Sequence, residues 1–166
     1  ERIYMVCFRK DLNIKKFKFP KPFKLSTFVE DLLLPDEEVS NLIVNRPDLV
    51  LKDIEIKNNS NRTIRIGTVG KGGQGERIYS PKGIAITLSA YGGGIFAKTG
   101  GYLINGKTRK LHPRECARIM GYPDSYLIHS SASQAYKQFG NSVVVNVLQY
   151  ITKNIGEALN YEYNYI

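Results

Sequence analysis

The chain has 166 residues, of which 42% are hydrophobic and 23% charged, and its formal net charge is +9. These are the values of one globular domain or of two small ones. The sequence has no signal peptide, no apolar run that could span a membrane, and only two cysteines. We therefore expect no membrane insertion, disulfide framework or metal site, and a reducing, cytoplasmic compartment.

The first residues are mostly apolar. Residues 3–8 read Ile-Tyr-Met-Val-Cys-Phe, which predicts a strand covered on both faces, as inside an α/β sheet. A chain without an initiator Met that opens on such a strand is expected to be part of something longer. Cys7 and Cys116 both have apolar neighbours, so we expect two buried structural thiols. Residues 26–33 predict a short helix that ends at Pro35.

Glycine is concentrated in one stretch. Residues 67–106 hold 12 of the 15 glycines, clustered around positions 70–75, 92–94 and 100–101. Glycine adopts backbone angles that other residues avoid and lets a main chain approach a ligand closely. Residues 63–68, 76–80 and 83–89 predict short strands. The expectation is a small sheet that carries two glycine loops.

Charge is concentrated in the same part of the chain. Residues 60–118 contain 11 basic and 2 acidic residues, a net +9, whereas residues 1–59 carry +1 and residues 119–166 carry −1. A positive surface with glycine loops suits a nucleic acid. It equally suits a solvated basic face with ordinary turns, and charge alone leaves both interpretations open.

Two helices are predicted beyond the glycine region. Residues 113–120 form the first, with Pro113 in its first turn and Gly121 at its end. An apolar stripe from position 144 to 159 predicts the second, with Ser142 available to cap its N-terminus. The glycines at 70, 72 and 75 match a dinucleotide-binding pattern, but the residues after them predict a strand and not a helix, which argues against that function.

Longer patterns resemble a known family. Residues 109–123, RKLHPRECARIMGYP, resemble motif IX of the DNA cytosine-5 methyltransferases, and residues 134–143, QAYKQFGNSV, resemble their motif X. Arg2 resembles the last arginine of motif VIII. Residues 70–101 resemble the target-recognition domain of a family member that reads GCGC. The resemblance covers essentially the whole chain.

The resemblance implies a mixed α/β fold. Residues 31–112 would be a small β-rich target-recognition domain and residues 113–140 a hinge. Residues 1–30 and 141–166 would be remnants of a Rossmann-like methyltransferase domain, the latter as a C-terminal helix returning to it. Their apolar surfaces would lack partners and would mark an interface.

The implied activity is that of a restriction-modification DNA (cytosine-5-)-methyltransferase. Such an enzyme transfers a methyl group from S-adenosylmethionine to C5 of a cytosine flipped out of double-stranded DNA. The sequence has no Pro-Cys nucleophile and no Glu-Asn-Val carboxylate. We therefore expect the chain to be inactive without an N-terminal half, on the same or a separate polypeptide. The alternative is a non-catalytic DNA-binding or regulatory module that works alone.

The resemblance also implies residue roles. Arg2 would hydrogen-bond the flipped cytosine, unless it merely forms a salt bridge at a strand start. Gln74, with the neighbouring Gly72 and Gly73, would fill the space that the cytosine leaves. Arg77 would read guanine in the major groove, with Glu76 beside it.

Three further groups complete the implied site. The second recognition loop would contribute Thr87, Ser89, Tyr91, Gly93 and Gly94. The residues assigned to DNA phosphates are Lys71, Lys98 and Arg46. The cofactor pocket would be bordered by Asn141, Ser142 and Val143 with Tyr122 behind them; the less favoured alternative is an ordinary helix cap.

Overall fold

A computed structural model describes residues 3–56 and 58–159, and the chain divides into two compact units. The terminal unit comprises Glu1–Phe23 and Val143–Ile166, and the central unit comprises Lys24–Ser142. Strands and helices together give the mixed α/β fold that the sequence predicts. The division of the chain into four functional segments stays a prediction.

The central unit contains a five-stranded sheet. Its strands follow each other in space as in sequence: β1 (Val50–Leu51), β2 (Arg65–Thr68), β3 (Arg77–Tyr79), β4 (Gly101–Ile104) and β5 (Lys107–Arg109). All neighbours are antiparallel except β3 and β4, which are parallel. Because a parallel pair needs a long connection, the chain between β3 and β4 has room for the second glycine cluster.

The core beside this sheet is built by Ile66, Val69, Ile78 and Phe96, all buried. The predicted strands at 63–68 and 76–80 are confirmed as β2 and β3. A short β4–β5 hairpin turns at Asn105 and Gly106, whose φ angles are +49° and +74°. An Asn-Gly pair with positive φ matches the twist of the flanking strands, so the turn residues themselves favour the pairing of β4 with β5.

Three helices follow the pattern of apolar residues. They are α1 (Pro113–Ile119), α2 (Ala132–Asn141) and α3 (Val145–Ala158). The predictions of α1 and α3 are confirmed. Short 3₁₀ turns occur at Lys10–Leu12, Val29–Leu32, Asp36–Glu38, Ser40–Leu42 and Gln74–Glu76. No helix in the part of the chain that the structure describes is both long and apolar enough to cross a bilayer.

The N-terminal segment does not form the predicted strand. Residues 3–8 have no regular secondary structure and make no backbone hydrogen bonds among the described residues. Ile3 and Met5 are 88% and 86% exposed. Cys7 is also exposed, so the expectation of two buried thiols is wrong for Cys7 and confirmed for Cys116. An apolar run becomes a buried strand only when a neighbouring strand is available, and the sheet lies wholly in the central unit.

The strand predicted at 83–89 is also absent from the structure. Gly83 forms an isolated bridge with Ser60, and residues 84–89 are irregular. The Ile86 N–H donates to the Tyr102 hydroxyl at 3.2 Å, and the Ser89 N–H donates to the Lys98 carbonyl at 3.0 Å. A side chain and a turn therefore satisfy backbone groups that a neighbouring strand would otherwise pair.

Candidate nucleic-acid interface

The first glycine loop, residues 70–76, connects β2 to β3. Gly70 and Gly72 have φ angles of +56° and +75°, which L-residues rarely adopt. The Gly70 N–H donates to Asp48 at 2.8 Å, and the Gly73 N–H donates to Glu76 at 2.9 Å. These bonds fix the backbone of the loop while the side chains of Lys71 and Gln74 are exposed. The loop is therefore a firmly held turn with polar groups at its tip.

Glu76 is predicted to lie beside Arg77 and face DNA, and the structure gives its carboxylate a second task. Besides accepting from Gly73, it fills the space next to Gly70, where an added Cβ would lie 2.5 Å from Oε1. The carboxylate thus supports the loop from inside. Its role as a DNA contact stays a prediction.

Arg77 opens β3 directly after the loop, and Arg65 opens β2 before it. Both guanidinium groups have a buried Nε without a hydrogen-bond partner, and neither forms an ion pair with a described residue. Leaving a buried charged donor unpaired is costly. Because this Nε is buried, Arg77 can meet a ligand with adjacent acceptors, such as the O6 and N7 atoms of guanine, only with its terminal guanidinium nitrogens.

The second glycine loop, residues 89–98, follows the irregular segment. Tyr91 is 71% exposed, and Gly93 and Gly94 are exposed as well. The Ser89 hydroxyl donates to the Tyr91 carbonyl at 2.7 Å, so the hydroxyl is occupied by the loop itself. Thr87, just before the loop, is exposed. The predicted residues of this loop therefore share one accessible stretch.

The two loops are interlocked through their backbones. The Phe96 N–H donates to the Gly75 carbonyl at 2.8 Å. A Cβ on Gly94 would lie 2.7 Å from the Gly75 oxygen, and a Cβ on Gly75 would collide with the Gly93 carbonyl. Only glycines allow this approach. The structure thus brings together two loops that are separate in sequence and makes one polar surface from them.

The three cations assigned to phosphates differ in whether another side chain of the protein already binds them. Lys71 is exposed, and the Lys98 ammonium donates to the Ser133 hydroxyl at 3.3 Å. Arg46 makes a bidentate pair with Asp48, with both contacts at 2.7 Å. This guanidinium, followed by the Gly70 N–H, holds the pKa of Asp48 well below its usual range. Arg46 is therefore already neutralised and helps to brace the first loop.

Sequence relatives identify the family of this chain. The family model for C-5 cytosine-specific DNA methylases matches residues 1–157. The chain belongs to this family. The type II methyltransferase M.HhaI of Haemophilus parahaemolyticus is 74% identical over 162 residues, which make up 98% of this chain and 50% of M.HhaI. M.SsoII of Shigella sonnei is 36% identical over 96% of this chain and 41% of its own length.

A solved methyltransferase structure has a similar fold. The crystal structure of the Dnmt2 methyltransferase from S. pombe matches with a TM-score of 0.58 and 18% sequence identity, covering 83% of this chain and 44% of that one. This match shows a shared methyltransferase fold. The chain spans about half the length of the methylases it matches.

Two of the residues predicted to border the methylase cofactor pocket, Asn141 and Ser142, lie at the end of α2. Ser142 is the C-cap of α2, where its hydroxyl donates to the Phe139 carbonyl at 3.1 Å. The residue preceding α3 is Val144, which gives no side-chain cap, so the predicted capping of that helix by Ser142 is wrong. Both the hydroxyl and the backbone N–H of Ser142 donate to the Phe139 carbonyl, so Ser142 caps the end of α2 and not the start of α3.

The other predicted cofactor and catalytic residues fall in different places. Asn141 is exposed at the end of α2, and Tyr122 packs against Phe139 with ring centroids 5.7 Å apart. Val143 belongs to the terminal unit. Arg2 lies outside the described residues. The roles of all four stay predictions.

The sequence patterns do not predict the buried ion pair between Arg109 and Glu115. Arg109 and Glu115 pair through two contacts of 2.7 and 2.8 Å and are 2% and 0% exposed. Glu115 also accepts from the backbone N–H groups of His112 and Leu34 at 2.7 and 2.8 Å. The sequence does contain a signal for the bond between Glu115 and the His112 N–H, because Glu115 lies three residues after the helix N-cap, in the capping-box position. The pair connects β5, α1 and the chain at Leu34.

The described residues offer little chemistry of their own. They contain no group of three or more His, Cys, Asp or Glu side chains that could hold a metal ion. Burial raises the pKa of the Cys116 thiol, which therefore stays protonated and unreactive. The arrangement suits recognition of a ligand through the two loops.

Proposed function

We propose that this chain is the DNA-recognition half of a type II restriction-modification methyltransferase that reads GCGC. The observation that carries the proposal is the pair of interlocked glycine loops, which presents an exposed Gln74 three residues before Arg77. The 74% identity to M.HhaI supports the same assignment.

The loops would divide the work of recognition. Arg77 would donate to a guanine in the major groove, and Gln74 would enter the duplex where the target cytosine has left it. Thr87, Ser89, Tyr91, Gly93 and Gly94 would line the adjoining bases and phosphates, while Lys71 and Lys98 would contact phosphates. Phosphate contacts hold the protein in register without specifying a sequence.

Catalysis would need groups that this sequence does not contain. Cytosine C5 is a weak nucleophile, and addition of a cysteine thiolate at C6 activates it. No Pro-Cys or Glu-Asn-Val segment occurs in the 166 residues. We infer that an N-terminal half, on the same or a separate chain, supplies the thiolate and the carboxylate, and that Arg2 would orient the carboxylate and the flipped base.

S-adenosylmethionine would supply the methyl group as an electrophile. Most of its pocket would belong to the N-terminal half. Within this chain, the exposed amide of Asn141 at the end of α2 has a polar group free to border such a pocket, and the aromatic cluster of Tyr122, Tyr126 and Phe139 supports that helix end from behind. The residues present therefore fit the rim of a cofactor site.

The partner surface would be the apolar side of the terminal unit. Val147, Leu148 and Tyr150 on α3 are exposed, as are Ile3 and Met5. A patch of exposed apolar side chains marks an interface. An N-terminal half would cover them, and the complete enzyme would act on DNA in the cytoplasm.

Reconstitution tests the proposal. The chain is mixed with an N-terminal half from a close relative, labelled S-adenosylmethionine and a GCGC duplex, and methyl transfer is measured. The proposal expects transfer to GCGC and none to a scrambled duplex or with a Cys→Ser change in the nucleophile of the added half. No transfer from well-folded components would contradict it. GCGC-selective binding by this chain without transfer would instead favour a stand-alone recognition module.

A further inference from the structure

Helix α2 packs one face against the second glycine loop. Ser133, Lys137 and Gly140 have the i, i+4, i+7 spacing of a single helix face. Ser133 accepts a hydrogen bond from Lys98 at 3.3 Å. At the other end, a Cβ on Gly140 would collide with the backbone of Ser89 and Ala90. The loop is therefore held at both of its ends by the same helix.

Lys137 lies between these two anchor points. Its ammonium nitrogen is 5.3 Å from the centroid of the Tyr91 ring. An aromatic face attracts a cation and limits the positions that it samples. The lysine and the ring are both exposed. Lys137 thus reaches the ligand side of the loop from an element that the sequence patterns do not assign to DNA.

The charges at this place are uncompensated. Within residues 3–56 and 58–159, neither Lys98 nor Lys137 forms an ion pair with an acidic side chain. Lys98 also has a φ of +77°, a strained conformation for a residue with a side chain. An anion bound beside the loop would compensate charges that the described residues leave without an acidic partner.

We propose that Lys137 binds a backbone phosphate of the DNA beside the second glycine loop, with Tyr91 holding its ammonium in place. This inference rests on the proposed function and extends its interface to α2. A phosphate is favoured over a base edge because an ammonium is a compact point charge with rotatable donors, whereas base readout favours planar or bidentate groups.

The salt dependence of binding tests this role. Binding of the 166-residue chain to labelled GCGC and scrambled duplexes is followed by fluorescence anisotropy over a series of salt concentrations. For Lys137→Ala we expect weaker binding to both duplexes by the same factor, and a slope of log K against log salt that is smaller by about 1. Lys137→Arg should restore the slope. Lys153→Ala, which removes an exposed lysine from α3, should leave it unchanged.

The outcomes separate this inference from the proposed function. An unchanged slope, or a loss confined to the GCGC duplex, would overturn the phosphate contact. If the wild-type chain binds both duplexes equally but Lys137→Ala still lowers the slope, the contact stands and GCGC recognition fails. If the wild-type chain binds neither duplex, both fail. Circular dichroism of each variant confirms that the fold is retained.

Discussion

The two units of this chain differ in how much of their apolar surface they cover themselves. The central unit buries a core, a bidentate ion pair and the capped end of α1, and its two glycine loops are braced from within. The terminal unit leaves Ile3 and Met5 exposed, together with Val147, Leu148 and Tyr150 on α3. A self-contained unit can present a ligand surface, whereas a unit with uncovered apolar side chains needs a partner. The predictions below test this difference.

The largest expected effect concerns the buried pair of the central unit. Glu115→Ala leaves the Arg109 guanidinium charged and buried without its partner, which we expect to lower the free energy of unfolding by about 3–5 kcal/mol. Urea denaturation measures it. Asp124→Ala, which removes the exposed partner of Arg118, is the control and should cost much less, because a solvent-exposed ion pair contributes little.

A double variant keeps this prediction testable if Glu115→Ala does not fold. Arg109→Met with Glu115→Leu removes both charges and should recover part of the lost stability. Equal losses for Glu115→Ala and Asp124→Ala would show that the buried pair contributes no more than a surface one.

The interlock between the loops predicts an intermediate effect. Gly75→Ala places a Cβ against the Gly93 carbonyl, and we expect this overpacking to cost about 1–3 kcal/mol in unfolding. Gly93→Ala is the matched control, since no atom lies within 4 Å of its Cβ position, and its stability should change by about 0.5 kcal/mol or less. Similar values for the two variants would contradict the interlock.

The terminal unit predicts a smaller effect that appears only with a partner. Ile3→Ser with Met5→Ser changes side chains that are 88% and 86% exposed, so the stability of the chain alone should change by about 0.5 kcal/mol or less. In the reconstituted mixture we expect methyl transfer at limiting protein to fall roughly tenfold, equivalent to about 1.4 kcal/mol of association. Lys153→Ser is the control. A loss of stability without any effect on reconstitution would place these residues in the chain's own core.

The smallest effect concerns pH and the first glycine loop. The pKa of Asp48 is depressed below its ordinary value of 3.8 by Arg46 and then by Gly70. Because the pKa of Asp48 is lower in the folded chain than in the unfolded chain, its carboxylate stabilises the fold fully above pH 3.8. This stabilisation is lost as the pH falls through the pKa of the folded state. The amide resonance of Gly70, followed by NMR, should therefore shift only below pH 3.8, and the shift should disappear in Asp48→Asn. A midpoint at the ordinary carboxyl pKa would show that the brace is absent in solution.

The sequence predicts the elements whose signals are local. β2, β3, α1 and α3 follow from alternation, from Pro113 and Gly121, and from an apolar stripe. The strand predicted at residues 3–8 fails because strand formation depends on a neighbour, and a run of apolar letters does not reveal whether one is present. The irregular path of residues 84–89 depends on the Tyr102 hydroxyl, which lies far along the chain.

The sequence predicts the candidate interface as a list of residues and not as an arrangement. Patterns single out both glycine loops, but they do not show that Gly75 meets Gly93 or that Asp48 braces Gly70. The Arg109–Glu115 pair and the contact of Lys137 with Tyr91 likewise join groups through the fold. Spacing along a chain carries no information on such contacts unless they fall within a turn or a helix.

The most direct test of the central claim is the binding of Arg77→Ala to DNA. The affinities of the wild-type and variant chains are measured on a GCGC duplex and on duplexes in which each guanine in turn is replaced by 7-deazaguanine, which lacks the N7 acceptor. We expect Arg77→Ala to cost about 1–3 kcal/mol on GCGC and to become insensitive to the replacement of one guanine. Equal losses on specific and random duplexes, with unchanged sensitivity to every guanine, would contradict the account.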